Sequence, residues 1–217
     1  MTGAVEASLR QVADDLTQVG VRWALVGGFA VSSRAEPRFT RVVDVCVLVD
    51  NDADAEGLVH VLGRHGYAVD SVVEHEQRQL LATIRLISPV PGGVLVDLLF
   101  ASSGVEAEIV AAAESLEILP GLVVPVAPAA HLAVLKLLAR DDATRPQDAI
   151  DLRALRPTLT PRDHDEVHRL VGLVTARGFN RDRDLVALAQ EYLEQPSPQP
   201  LATTWHQRLQ SSERNTP

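Results

Sequence analysis

Two acids, a pair of glycines and a lysine are the residues of this chain whose types and spacing could do chemistry. Gly27 and Gly28 close the apolar run Val21 to Val26 and stand before a short helical stretch that begins at Phe29. Residues without side chains let the chain turn sharply there and let an anionic group approach backbone N–H groups. Asp44 lies in the alternating segment Val42 to Val49, and its carboxylate is a hard oxygen ligand for a divalent cation. Asp97 stands inside the apolar run VLVDLLF, where an ionised carboxylate is costly unless it is paired or binds a metal. Two acids on separate strands beside a glycine turn point to a site for a metal and a nucleotide. Arg34, Arg38, Arg41, Lys136 and Arg145 are placed to supply a local basic groove.

These residues need a scaffold, and the hydrophobic periodicity describes one. Val5, Leu9, Val12 and Leu16 fall on one face of a helix over residues 4–18 that Gly20 ends. Val21 to Val26 reads as a buried strand, and the helix after the glycines turns the positive end of its dipole to the turn. Asn51 or Asp52 caps a helix that stops at Gly66, and three strands follow at 67–73, 81–87 and 94–100. Pro89, Pro91, Gly92 and Gly93 make the turn between the last two. That is a mixed sheet flanked by helices, an α+β or α/β core over residues 1–102. Residues 103–195 read as a mainly helical lobe, with one short β pair at 116–126. Its helices start near Pro128, at Pro146, at Thr160-Pro161 and at Asn180. Residues 196–217 are rich in Pro, Ser and Gln and read as a flexible tail, in which Trp205 and Leu209 could dock on the body or a partner.

The bulk properties narrow the classes. At 217 residues the chain suits one large domain or two small ones, and with aromatics at only 4% the core must be built from Val, Leu, Ala and Ile. A formal net charge of −9 argues against broad non-specific nucleic-acid affinity, though not against a local basic groove. The single cysteine, Cys46, alternates with valines and reads as a buried, inert thiol; no internal disulfide can form. The N-terminus has no apolar signal region and no run approaches 18 residues, so a cytoplasmic protein that does not span a membrane is expected. His164 and His168 lie i, i+4 on one helix face, but Asp165 stands where a zinc hydrolase needs Glu, so a solvated helix face is the reading.

Taken in order, the motifs resemble the nucleotidyltransferase superfamily of polymerase-beta-like folds, and within it the AbiEii/AbiGii-type toxins that include the mycobacterial MenT toxins. That pattern is a Gly-Gly or Gly-Ser turn, a strand with two carboxylates one residue apart, and a third carboxylate on a later strand. Gly27-Gly28 match the turn, Thr40, Arg41 and Asp44 match the acidic strand, and Asp97 matches the third acid. Val42 stands where the first acid belongs. Downstream, Lys136, Arg145, Asp148 and Asp151 match a lysine on a helix followed by an Arg-x-x-Asp-x-x-Asp-like run. The likeness covers roughly residues 10 to 156.

The resemblance implies an enzyme that moves a nucleoside monophosphate from an NTP to an RNA hydroxyl, the 3′ end of a tRNA, as the toxin of a toxin–antitoxin pair. It implies Asp44 and Asp97 as ligands of Mg²⁺ or Mn²⁺, with Asp44, Asp97 and Lys136 as the catalytic set. Gly27, Gly28, Arg34, Arg41, Arg145 and Asp148 would bind the nucleotide. It also implies a cognate antitoxin as partner. Val42 opens a second reading, a weak or inactive relative that binds a nucleotide or a protein. Nucleotidylation of a small molecule suits the same fold, because the fold alone does not choose the acceptor. Bland roles stand beside these. The glycines could serve sterics alone, the acids could pair with arginines, and Arg145, Asp148 and Asp151 could be a helix cap with its ion pair.

Overall fold

A computed structural model describes residues 2–75, 80–141 and 143–195 of the chain. The expectations for the tail, including docking by Trp205 and Leu209, lie outside the described residues. The chain opens with helix α1 (Thr2–Val19), whose Leu9, Val12 and Leu16 are fully buried, as the periodicity requires. Strand β1 (Arg22–Val26), helix α2 (Gly27–Arg34) and strand β2 (Val42–Leu48) follow, then α3 (Asp52–Arg64), β3 (Ala68–His75), β4 (Leu80–Ile87) and β5 (Leu95–Leu99). Asn51 is the N-cap of α3, its side chain accepting from the Asp54 N–H. Next come α4 (Glu106–Ala112), β6 (Glu114–Leu119) and β7 (Leu122–Val126).

Among the described residues all seven strands form one sheet in the order β3-β4-β5-β2-β1-β7-β6. β1 runs antiparallel to β2 and parallel to β7, and β2 runs parallel to β5. β3, β4 and β5 are antiparallel neighbours, so the sheet is mixed. The short β pair β6–β7 joins this sheet beside β1, and the sheet therefore extends beyond residue 102. Helices α1, α2 and α4 pack on the central strands β1 and β2, and α3 packs on β4. The central strands carry the core, with Ala24, Leu25, Val43, Val45, Val47, Val96 and Leu98 all at 0% exposure.

The wholly helical part begins with α5 (Ala129–Ala139) and continues through α6 (Pro146–Leu155), a short 3₁₀ turn (Arg156–Thr158), α7 (Pro161–Ala176) and α8 (Leu185–Glu194). Thr160 and Asp163 close a reciprocal capping box at the start of α7. The last helix departs from the sequence reading. It starts at Leu185, where the Asp184 side chain accepts from the Ala187 N–H, and not at Asn180. Arg181 and Asp182 have φ of 54° and 56°, a left-handed conformation that no α-helix can contain. α5 packs against α6, α7 and α8 and also against α2, which brings Lys136 to the sheet.

Candidate active site

The register of the sheet builds the floor of a cleft. Asp44 and Asp97 are direct partners across the parallel pair β2–β5, so both side chains rise from the same face. Adjacent strands lie about 4.8 Å apart, which sets the two carboxylates side by side. The row continues outward, Val26 standing opposite Asp44 on one side and Arg85 opposite Asp97 on the other. Arg85 grips Asp97 with both arms of its guanidinium, Nε to Oδ1 and Nη2 to Oδ2, each at 2.7 Å. That bidentate pair raises the Arg85 pKa above its ordinary value. Asp44 has no such partner. Its pKa is raised, first by burial and then by the neighbouring charge of Asp97, against the opposing pull of Lys136, the Gly28 N–H and Arg145.

The glycine turn is shaped by what lies on top of it. Gly27 has φ +62°, and a Cβ there would fall 2.0 Å from Asp44 Oδ2. A Cβ on Gly28 would fall 2.7 Å from Thr40 Oγ1. Both positions thus exclude any larger residue, because the Asp44 carboxylate and the Thr40 hydroxyl occupy the space. The Gly28 N–H favours the ionised form of Asp44, so the turn acts on the acid electrostatically as well as making room for it.

Lys136 enters from α5. Its Nζ lies 2.8 Å from Asp148 Oδ1 and 2.9 Å from Asp151 Oδ2. Arg38 holds Asp151 from the other side, Nε to Oδ1 at 2.6 Å and Nη2 to Oδ2 at 2.8 Å. Burial alone would raise the Asp151 pKa, but the Arg38 and Lys136 hydrogen bonds outweigh it and hold the carboxyl below its usual range. Arg145, at the N-cap of α6, places Nε 2.9 Å from Asp148 Oδ2. Lys136 therefore has two carboxylate partners of its own beside the cleft acids.

A cavity of about 350 Å³ joins these parts, lined among others by Gly27, Asp44, Asp97, Arg85, Lys136 and Arg145. That volume lies within the ordinary range of small-ligand sites, roughly 300–1,000 Å³. Arg181 completes the wall. Its lining side chains include two acids and four cations, of which Lys136 and Arg145 are paired with Asp148 and Asp151 behind the wall. Among the described residues no group of three or more His, Cys, Asp or Glu is arranged to hold a metal. Asp44 and Asp97 nonetheless suit one hard cation, because Mg²⁺ commonly takes one or two protein carboxylates and completes its shell with water and substrate phosphates. The repulsion between the two acids is what such an ion would relieve.

The remaining residues named from the sequence fall elsewhere. Arg34 does not line this cavity. It donates to the Ala127 and Val126 carbonyls at 3.2 and 3.1 Å and pairs with Glu114 at 2.6 Å, tying α2 to β6 and β7. Arg41 is exposed, its guanidinium 5.6 Å above the Phe39 ring. Val42 lies two residues before Asp44 on the same face, opposite Leu95, so its row is apolar where a second acid would stand. Cys46 is buried as expected, and burial pushes its thiol pKa well up. Arg38, expected in a basic groove, instead holds Asp151 behind the cleft, and Arg85 and Arg181 were not singled out by the motifs. Arg85 was detectable, since a hairpin closed by Ile87 and Leu95 sets it opposite Asp97.

A mixed sheet with an acid pair beside a glycine turn, covered by a helical lobe that supplies a lysine, defines a nucleotidyltransferase. The chain belongs to the AbiEii family, nucleotidyl transferase toxins of type IV toxin–antitoxin systems, whose model matches residues 12–217. The chain is similar in fold to a nucleotidyltransferase-like antigenic protein from Paracoccidioides brasiliensis, at 18% identity and TM-score 0.54, over 87% of this chain and 93% of that one. It also aligns with the antibiotic-resistance factor ANT(2″)-Ia, at 13% identity and TM-score 0.46, over 95% and 94% of the two chains. No curated protein sequence matches it. No described helix is long and apolar enough to cross a membrane.

Proposed function

We propose that this nucleotidyltransferase transfers a nucleoside monophosphate from an NTP to the 3′ hydroxyl of an RNA, with tRNA in the cytoplasm as the acceptor, and that a cognate antitoxin restrains it. The observation that carries the reading is the pairing of Asp44 with Asp97 beside Gly27, inside a cavity whose walls are otherwise basic. Asp44 and Asp97 would hold Mg²⁺ or Mn²⁺, which when bound neutralises phosphate charge and orients the α-phosphate. Lys136 and Arg145 line the same cavity, where their charge would favour the triphosphate tail and the leaving pyrophosphate. The acceptor oxygen forms a bond to the α-phosphorus as the bond between that phosphorus and the bridging oxygen to the β-phosphate breaks. The hydroxyl proton passes to an Asp97 oxygen. Arg85 orients that carboxylate by donating to both of its oxygens.

The test is to offer each of the four NTPs, labelled at the α-phosphate, with total tRNA and Mg²⁺. Transfer from at least one NTP, lost in Asp97→Asn, supports the reading. The apolar row at Val42 favours one alternative, a chain that binds the nucleotide and transfers it poorly. NTP binding without label on RNA from any nucleotide is the result that selects it.

A further inference from the structure

The turn between α7 and α8 holds an arginine that the roles above leave unused. Arg181 and Asp182 are successive non-glycine residues in the left-handed region, at φ 54° and 56°. Such a conformation is strained for most side chains, and asparagine or glycine would relax it. The surrounding bonds enforce it. Asn180 donates from Nδ2 to the Arg183 carbonyl at 2.9 Å, and the Arg183 N–H returns to the Asn180 carbonyl at 3.0 Å. Arg183 Nη1 donates to the carbonyls of Leu137, Leu138 and Arg140, each at 3.0 Å, and so fastens the turn to the end of α5, the helix that carries Lys136. The strained turn presents Arg181 to the wall of the cleft.

Arg181 finds little there to bond with. Among the described residues its hydrogen-bond acceptor is the Ser102 carbonyl, 3.3 Å from Nη2, just beyond β5. Among the described residues no carboxylate pairs with it. Burial, Arg145 and Arg183 all push its pKa down, and only Glu106 opposes them. Arg145 is half spoken for: its carboxylate contact, Asp148, is shared with Lys136. Arg85 is neutralised by Asp97, so the unbalanced positive charge of the cavity lies on the Arg145–Arg181 side. Guanidinium forks match phosphate oxygens in geometry and in charge.

We infer that Arg145 and Arg181 form a two-arginine clamp for a phosphate group at the helical wall of the cleft, and that the strained turn exists to present Arg181 to it. Assigning that phosphate to a substrate rests on the nucleotidyl-transfer reading. Its two sources are the triphosphate tail of an NTP and the backbone of an RNA acceptor.

Calorimetric titration of the full chain with inorganic tripolyphosphate, and separately with a short single-stranded RNA, tests the clamp without requiring transfer. Arg181→Asn is the chosen variant, because it suits the left-handed backbone and removes the charge. Its melting temperature should equal or exceed that of the wild type. Its affinity for one of the two probes should fall about tenfold, the worth of a charge-assisted phosphate contact. The slope of log K against log salt should decrease by about one. Arg181→Lys should recover part of the affinity. Loss confined to tripolyphosphate assigns the clamp to the NTP tail, and loss confined to RNA assigns it to the acceptor. The clamp is overturned if the wild type binds neither probe, or if Arg181→Asn binds both as the wild type does. Should no NTP label any RNA while the variant still loses affinity, the transfer reading fails and the clamp stands.

Discussion

Lys136→Ala removes an ammonium that stands 2.8 Å from Asp148 Oδ1 and 2.9 Å from Asp151 Oδ2. The lysine side chain is 12% exposed and those of Asp148 and Asp151 are 3% and 0% exposed, so solvent cannot replace the lost charge. Breaking a buried pair from one side costs about 3–5 kcal/mol. The lower end applies here, because Arg38 stays on Asp151 and Arg145 on Asp148. At about 2–4 °C per kcal/mol for a domain of this size, a loss of ~3 kcal/mol lowers the melting temperature by ~6–12 °C. The cost should depend on pH in a definite direction. The folded-state pKa of Asp151 is depressed, so its contribution is present above the unfolded value of about 3.9 and is lost as pH falls through the lower folded value. The gap between wild type and variant must therefore narrow as the pH is taken below about 4. Melts followed by circular dichroism at pH 7 and under acid conditions measure both effects, and Asp148→Asn in the variant background should restore part of the loss. A Lys136→Ala protein that melts within about 2 °C of wild type at pH 7 would refute the argument that Lys136 is a structural counter-ion as well as a cleft residue.

Asp44→Asn should act in opposite senses on stability and on metal binding. The folded pKa of Asp44 is raised, so its ionised form costs stability, a cost that appears as pH rises through the unfolded value of about 3.9 and is complete above the folded value. The metal-free variant should then be more stable than wild type at pH 7, on the order of 1 kcal/mol, while Mn²⁺ binding followed by paramagnetic resonance is lost. A less stable variant would show that Asp44 is held by a favourable partner. Val42→Asp should place a third carboxylate on the same face, two residues before Asp44. Metal affinity should rise at least several-fold and metal-free stability should fall, both read by titration and melting. An unchanged metal affinity in a folded variant would mean that position 42 does not reach the ion.

The parts of the site that follow from local patterns were legible in the sequence. The apolar alternation of β2 and β5 put Asp44 and Asp97 inside strands, and parity alone put Val42 on the Asp44 face. The helix from Pro146 and the Thr160 cap follow from local capping chemistry, which needs no tertiary information. Three things were not legible, and each depends on a long-range neighbour. Arg34 looked like a cleft residue because it follows the glycine turn, yet β6 and β7 lie closer to it than the cleft does. The turn at 181–182 is left-handed against the preference of Arg, because Arg183 is fastened to α5 from elsewhere in the chain. Lys136 was read as part of a basic groove and a catalytic set, and its buried carboxylate partners, Asp148 and Asp151, come from α6.

The glycine pair shows how sterics and chemistry can share one cause. A Cβ at Gly27 collides with Asp44, and a Cβ at Gly28 collides with Thr40 and Arg38, residues of the loop that leads into β2. Arg38 in turn holds Asp151, which shares Lys136 with Asp148. The turn, the acidic strand and the helical lobe are thus joined through a short chain of contacts: Gly28 to Arg38, Arg38 to Asp151, Asp151 to Lys136. A purely steric role for the glycines would leave Asp44 free to move. Instead its carboxylate lies directly on Gly27, with the Gly28 N–H favouring its charge, so the compactness of the turn helps hold the acid beside Asp97. Positioning of this kind is demanding, because two like charges are kept adjacent at a cost that the folded protein bears until a cation or a proton arrives. The same repulsion that makes the acid pair costly is what a cation held between the two carboxylates would relieve.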